Sequence, residues 1–126
     1  MWRMIAGVAA GLVLLSGAAS ACESMTFENG RASCRQLHSR VDAQGREWPV
    51  RIQITRPPAH GTVTTQPALE HVTLRSGERR TVHATQVVFR PKKGYLGEDT
   101  FTYVRITDDP TDRNNGKSFT IAVTMR

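Results

Sequence analysis

Apolar and polar residues alternate with a period of two in several stretches of the chain, which is the pattern of half-buried β-strands. The clearest stretch is 118–125, where one predicted face collects Phe119, Ile121, Val123 and Met125. A second such stretch begins at Val50. After residue 21, no segment carries a helical stripe longer than about two turns. The pattern therefore predicts an all-β protein.

Proline and glycine residues mark the predicted ends of the strands. We expect Pro57–Pro58 to end the strand that begins at Val50, and Pro67 to break the strand that follows. The polar segment Arg75–Arg80, with Gly77 near its centre, predicts a hairpin, and Asp108–Gly116 predicts a loop. Six or seven short antiparallel strands are expected, arranged as a β-sandwich.

The first 21 residues have the pattern of a secretory signal peptide. Arg3 supplies the positive start, Ile5–Leu15 is an apolar run, and Ala19–Ser20–Ala21 is an A-x-A cleavage site. The apolar run is shorter than the roughly 20 residues that a membrane-spanning helix needs. We therefore expect an exported chain beginning at Cys22, with an N-terminal segment (22–45) and one β-sandwich domain (46–126).

Cys22 and Cys34 are the two cysteines of the chain. Export would place them where disulfides persist, so a bond between them is predicted, stabilising the fold by about 2–3 kcal/mol. The alternative is lipidation of Cys22 as the first residue after cleavage. A bacterial lipobox normally has an aliphatic residue such as leucine three positions before the cysteine, where this chain has Ala19. The sequence thus favours the disulfide over a lipid anchor.

Three segments resemble one family: "PPAHGTV" (57–63), "VVFRPKKGYLGEDTFTY" (87–103) and "NGKSFTIAVTM" (115–125). They are similar to the bacterial Ig-like and cadherin-like domains of secreted and cell-surface proteins, and the resemblance covers roughly residues 50–125. It implies a Greek-key sandwich of about seven strands. It also implies a spacer or binding module of the cell envelope, located in the periplasm or secreted, rather than an enzyme.

The middle segment predicts the centre of the core. Phe89, Phe101 and Tyr103 are expected to face inward, since each buried aromatic removes about 150–250 Å² from water. Glycines at 94 and 97 would let the chain turn back so that Phe101 meets Phe89. Tyr95 resembles the tyrosine corner, whose hydroxyl bonds back to the backbone.

Arg105 departs from the family pattern, which has an apolar residue two positions after the tyrosine of the middle segment. Two outcomes are expected. Either a bulge turns Ile106 inward, or the guanidinium lies at the end of the sheet and reaches solvent. A buried arginine without a partner would be the least favourable outcome energetically.

Two groups of residues are candidate metal ligands. Asp108, Asp109, Asp112 and Asn114 are weak candidates for calcium, but their spacing does not match an EF-hand and such residues also favour turns. A hairpin centred on Gly77 would place His71 opposite His83, which gives two ligands without an evident third. We therefore predict neither a metal nor another cofactor.

The charge pattern offers one candidate binding surface. Without the signal, 16 lysines and arginines face 11 acidic residues. Six of them cluster in sequence around the predicted hairpin and its second strand: Arg75, Arg79, Arg80, Arg90, Lys92 and Lys93. One basic face would suit an anionic envelope glycan, a lipopolysaccharide or an acidic protein, whereas the alternative is that these charges protect strand edges. Nucleic acid is not expected, because these segments lack interleaved aromatics.

No phosphate-binding loop, nucleophile elbow or zinc signature occurs in the sequence. The leading hypothesis is an exported, non-catalytic Ig-like module that binds through its loops or supports the envelope. The alternatives are an adhesion or assembly protein that self-associates through strand edges, and a metal-dependent hydrolase that uses the aspartate-rich loop.

Overall fold

The computed structural model describes residues 22–126, and these residues form ten β-strands and no helix. The predicted all-β class is confirmed, while the predicted signal peptide lies outside the described residues. The strands are β1 (Ser24–Glu28), β2 (Arg31–Ala32), β3 (Gln36–His38), β4 (Arg40–Val41), β5 (Glu47–Trp48), β6 (Arg51–Arg56), β7 (Gly61–Thr73), β8 (Arg79–Pro91), β9 (Gly97–Ile106) and β10 (Lys117–Met125).

The strands form two larger sheets and one small hairpin. The five-stranded sheet has the order β2-β1-β10-β9-β6, the three-stranded sheet has the order β3-β8-β7, and β4 pairs with β5. Strand β1 runs parallel to β10, and every other strand pair in the described residues is antiparallel.

The two larger sheets share one apolar core, which contains the three aromatic residues that the sequence predicted to face inward, together with Phe27, which it did not predict. Phe89 of β8 lies with its ring centroid 5.5 Å from Phe27 of β1 and 5.9 Å from Phe101 of β9. Tyr103 continues this row on β9 and is fully buried. Further buried members come from β1, β8 and β10: Met25, Val87, Ile121, Val123 and Met125.

The turn before β9 has the sharp conformation that was predicted from its two glycines. Gly94 has a φ of +83° and Gly97 a φ of +132°, values that side-chain-bearing residues rarely adopt. The Tyr95 ring stacks on His60 at 3.8 Å, and its hydroxyl donates to the Glu98 carbonyl at 3.0 Å. The hydroxyl thus bonds to the backbone as expected of this tyrosine, but it reaches forward along the chain rather than back.

Strand β7 continues through Pro67, where a break was predicted. The reason is its position at the edge of the sheet, since β7 pairs with β8 alone among the described strands. The His83 N–H points away from β7 and donates to Glu47, so His83 and its partner Leu69 exchange no hydrogen bonds between the two strands. Pro67 lies two residues from Leu69, opposite Thr85, and is therefore at a position of the same kind. Pro67 therefore occupies an outward-facing position, where the missing N–H removes no bond from the sheet.

Strand β8 buries opposite faces at its two ends. Val87 and Phe89 point into the shared core. Val82 and Ala84 lie on the opposite face of β8, nearer the hairpin turn, and are also buried. Glu70, which is paired with Val82, accepts a hydrogen bond of 2.7 Å from Ser39. The upper half of the β7–β8 hairpin is thus covered by the chain that links β3 to β4.

The predicted disulfide joins Cys22 to Cys34, with Cα atoms 6.5 Å apart. The bond ties the residues before β1 to the segment that enters β3. Cys34 also packs against the shared core. The 22–45 segment, in which sequence periodicity is weak, is therefore held by strand pairing and by this cross-link.

Candidate functional site: a groove between two sheet edges

An open groove of about 730 Å³ separates β6, at the edge of the five-stranded sheet, from the β7–β8 hairpin. We call it the edge groove. Its apolar lining comes from Trp48, Pro49, Val50, Ile52, Pro67 and Ala84. Its polar lining comes from Glu47, Arg51, Thr65, Gln66, His83 and Thr85. A concave site that combines apolar surface with polar groups is suited to binding a ligand.

Asp42 fixes the conformation of the wall that carries Trp48. Its Oδ1 accepts the backbone N–H groups of Gln44 and Arg46, each at 2.9 Å, and its Oδ2 accepts the Trp48 indole N–H at 2.9 Å. An aspartate that begins a glycine-containing turn commonly binds the backbone in this way. The bond from Trp48, followed by those from the turn, lowers the pKa of Asp42 to about 2. The carboxylate therefore stays ionised, and the indole keeps its position.

Three hydrogen bonds attach this wall to β8. The Thr85 hydroxyl donates to the Val50 carbonyl at 2.6 Å, and the His83 N–H donates to the Glu47 carboxylate at 2.9 Å. Near the hairpin tip, Arg80 donates to the Gly45 carbonyl at 2.6 Å. These bonds use polar groups on the edge of β8 that would otherwise face water. The groove therefore has a wall that is attached at both ends.

The charged residues at the rim of the edge groove have hydrogen-bond partners within the protein. Glu47 lies 3.1 Å from the His83 ring, and hydrogen bonds from His83 lower the pKa of Glu47. Arg51 donates two bonds of 3.2 Å to Asp108. Because Arg51 is paired with Asp108 and Glu47 adds a carboxylate, the groove suits an uncharged apolar segment better than an anion.

Two strand edges border the groove. Among the described strands, β6 pairs only with β9 and β7 pairs only with β8, so one backbone edge of each is unpaired. Pro67 interrupts the donors of β7, whereas β6 offers a continuous backbone from Arg51 to Ile54 before its register shift. An extended chain adds more readily to an edge with an uninterrupted row of backbone groups, such as that of β6.

Arg105 is buried and paired, so both outcomes expected for it are wrong. Its register with β10 is regular, and its side chain is buried rather than solvent-exposed. The guanidinium donates to Asp112 at 2.7 Å and to the Ser39 carbonyl at 3.2 Å. The charge is tolerated because its partner is buried with it.

The aspartate-rich loop is organised by arginines. Asp109 accepts from Arg40 at 2.7 Å, and Asp112 accepts from Arg105 and from the Thr107 hydroxyl, each at 2.7 Å. Burial is the largest single influence on Asp112 and raises its pKa, but the hydrogen bonds from Thr107, Arg105 and Asn114 outweigh it, so the pKa lies below its usual value.

The weak calcium candidates do not converge on one point. Asp108 is exposed and faces Arg51, Asn114 is exposed, and the carboxylates of Asp109 and Asp112 are bound to Arg40 and Arg105. Within residues 22–126, no group of three or more histidine, cysteine or acidic side chains is arranged to hold a metal ion.

The predicted His71–His83 pair is displaced by two residues. The loop Leu74–Glu78 centres the hairpin on Ser76, so that His71 lies opposite Thr81 and His83 lies opposite Leu69. His71 bonds to the Thr81 hydroxyl at 2.8 Å instead. The predicted centre of the turn, Gly77, was wrong by one residue, and such an error moves the cross-strand partner of each residue by two positions.

The six basic residues do not form one face. Arg75, Arg79 and Arg80 lie at the tip of the β7–β8 hairpin, whereas the others, Arg90, Lys92 and Lys93, lie at the far end of β8 or just beyond it. Arg79 and Arg90 are separated by roughly 36 Å of extended strand. The predicted patch is therefore two separate groups, and Arg80 is already bound to Gly45.

Sequence reasoning missed the residues that build the groove wall. Asp42, Glu47 and Trp48 lie in the part of the chain where periodicity was weak. The signal for them was the run Asp42–Arg46, which has the form of an aspartate-initiated glycine turn and stands just before a tryptophan.

No protein-family model matches the chain, and no match was found among curated proteins or solved structures. These comparisons therefore add no support to the resemblance to Ig-like domains. Across residues 22–126, no helix has the length and apolar character needed to cross a bilayer.

Proposed function

We propose that the chain is an exported, non-catalytic Ig-like module of the bacterial envelope that binds an extended segment of a partner protein in the edge groove. The strand order supports the Ig-like assignment. If β3, β6, β7, β8, β9 and β10 are named B to G, one sheet reads B-E-D and the other contains C-F-G, as in the Ig sandwich. Strand β1 is an addition parallel to strand G.

The observation that carries the binding proposal is the open groove, with apolar surface from Trp48 and Ile52, beside the unpaired edge of β6. A partner strand would bond to the β6 backbone and place alternate side chains against Trp48 and Ile52. Because Arg51 is paired with Asp108 and Glu47 is bound by His83, recognition would depend mainly on apolar contacts and backbone bonds and respond only weakly to salt.

The use of the titratable side chains supports binding rather than catalysis. His38 is buried against the Tyr103 hydroxyl, and burial, followed by the charge of Arg105, lowers its pKa to about 4. Such a histidine is held neutral at physiological pH, far from the value suited to a general base. Asp109 and Asp112 serve as partners of arginines.

Two observations support export to the periplasm or the medium. The signal-like segment precedes Cys22, and the Cys22–Cys34 bond belongs to an oxidising compartment. The same bond uses the Cys22 sulfur, which the alternative of lipidation would require. Intact-mass measurement of exported protein separates the two, because the disulfide removes two hydrogens and a lipid anchor adds a diacylglycerol.

The binding proposal is tested by selecting random peptides on the immobilised oxidised protein and titrating the selected peptides in solution. We expect uncharged sequences with alternating apolar residues, and at least tenfold weaker binding to Ile52→Asp and Trp48→Ala variants. Leu96→Ser, an exposed leucine that does not line the groove, is the matched control and should bind as the parent does. Peptides that bind all variants equally would refute the groove as the site.

Self-association through the β6 edge is the second candidate. The exposed, uncharged residues Gln53 and Thr55 on β6 favour it, since an edge strand without charges at these positions can pair with a second copy of itself. Light scattering at high micromolar concentration tests this candidate. A dimer that Gln53→Pro converts to monomer would support it, and a monomer at all concentrations would eliminate it.

A further inference from the structure

The loop between β8 and β9 holds one leucine out in solvent. The Tyr95 N–H donates to the Lys92 carbonyl at 3.0 Å, and the Lys92 N–H donates to the His60 carbonyl at 2.8 Å. Tyr95 itself folds back onto His60. Leu96, the next residue, points away from the domain and is 72% exposed. We call residues Lys92–Leu96 the basic tip.

The neighbouring β6–β7 loop holds the base of the basic tip in place. The Asp99 carboxylate accepts the N–H groups of Ala59 and His60 at 3.1 and 2.6 Å. Burial alone would raise the pKa of Asp99, but these bonds together with that of Thr100 lower it. Asp99 is therefore ionised and bound to the loop backbone. These hydrogen bonds hold the turn that carries the basic tip in one position.

Positive charge surrounds the exposed leucine. Lys92 and Lys93 are both exposed in the same turn, and Arg90 is exposed two residues earlier. Glu98 is the exposed acidic residue nearest in sequence. A single exposed leucine is ordinary on a protein surface. An exposed leucine at the end of a rigid turn that also carries two lysines has the composition of a lipid-surface contact.

We infer that the basic tip docks the domain on an anionic lipid surface, with Leu96 entering the interface and Lys92 and Lys93 contacting phosphate headgroups. A free anion or a soluble glycan would use the lysines and leave Leu96 in water. A lipid surface uses both, because lysine stems can lie along the interface while their ammonium groups reach the headgroups. Each lysine is expected to strengthen binding about fivefold.

The opposite end of the β7–β8 hairpin supplies a matched control within the same protein. It carries Leu69, which is 62% exposed, together with the exposed Arg75 and Arg79. The pair Arg75→Gln/Arg79→Gln removes the same charge as Lys92→Gln/Lys93→Gln. Likewise, Leu69→Ser removes the same apolar side chain as Leu96→Ser. A general effect of net charge or hydrophobicity would appear equally at both ends.

The experiment is co-sedimentation of the oxidised protein with vesicles of phosphatidylcholine, alone or mixed with phosphatidylglycerol, and in parallel a titration with dextran sulfate. We expect binding to the anionic vesicles only, reduced roughly tenfold or more by Lys92→Gln/Lys93→Gln and several-fold by Leu96→Ser. Leu96→Ser should leave dextran sulfate binding unchanged. The control variants should sediment as the parent does, and thermal midpoints verify that all variants fold.

Two results would overturn the inference. Equal losses from the Arg75→Gln/Arg79→Gln pair would mean that net charge alone drives binding, and full vesicle binding by Leu96→Ser would mean a site for free anions or glycans. The edge groove lies elsewhere, so Trp48→Ala should leave vesicle binding intact. Failure of this inference therefore leaves the proposed function of the groove untouched.

Discussion

Two ends of the same strand fill the interior in opposite ways. The buried positions of β9 are Phe101 and Tyr103 and, toward its C-terminal end, Arg105, and Thr107 is buried just beyond the strand. The first end packs rings from both sheets against one another. The second end packs a guanidinium against Asp112. The alternation of period two is the same at both ends, but the forces that stabilise them are different.

The difference lies in how each end responds to the loss of a partner. Apolar packing is non-directional, so a removed group leaves a cavity that the surroundings can partly fill. A buried ion pair is directional, and removal of one member leaves an uncompensated charge. The polar end is therefore more sensitive to single substitutions and to pH than the apolar end.

The largest expected effect comes from removing the partner of Arg105. Asp112→Ala should lower the free energy of unfolding by about 3–5 kcal/mol, because Arg105 would remain buried without its counter-ion. Urea denaturation followed by tryptophan fluorescence measures the loss. The double variant Arg105→Met/Asp112→Asn removes both charges of this pair and should be more stable than Asp112→Ala. A double variant that is less stable than Asp112→Ala would contradict this account of the polar end.

The boundary between the two ends should respond to pH through His38. This histidine binds the Tyr103 hydroxyl, and burial, followed by the charge of Arg105, holds its pKa at about 4 against 6.5 in the unfolded chain. Between these values the unfolded chain binds the proton and the folded chain does not, so stability falls as the pH drops from 6.5 to 4. The total loss should be roughly 3 kcal/mol, at about 1.4 kcal/mol per pH unit.

The variant His38→Gln isolates this contribution. It should flatten the dependence of unfolding free energy on pH in that range, whereas His71→Gln, at an exposed site, should keep the slope of the parent. Burial raises the pKa of Glu70, partly offset by Ser39, which gives a slope of opposite sign; that contribution is common to all three proteins. An unchanged slope in His38→Gln would show that His38 is not the group responsible.

The apolar end could be predicted from sequence because its determinants are local. Alternation along 118–125 and the aromatic spacing from Phe89 to Tyr103 both depend on the period of a strand, and the glycines at 94 and 97 define the turn between them. The hairpin around Ser76 was predicted for the same reason. Its exact centre was not, because a loop of polar residues fits more than one turn.

The polar end and the edge groove could not be predicted because their determinants are distant in sequence. Arg105 binds Ser39, 66 residues away, and Thr85 binds Val50, 35 residues away. Pro67 is compatible with β7 only because that strand lies at a sheet edge, which is a property of the whole fold. Local pattern gives the strands, but it does not give their neighbours.

The smallest expected effects come from conservative substitutions at the two ends of β9. Phe101→Leu keeps an apolar side chain of similar size and should cost about 1 kcal/mol, because neighbouring rings can repack around it. Arg105→Lys keeps the charge but loses the planar group that reaches Asp112 and Ser39 together, so it should cost clearly more than Phe101→Leu. Both losses are measured as shifts in the urea midpoint at constant slope. If Arg105→Lys were the milder change, charge alone would stabilise the polar end, and the directional geometry inferred from its hydrogen bonds would be unnecessary.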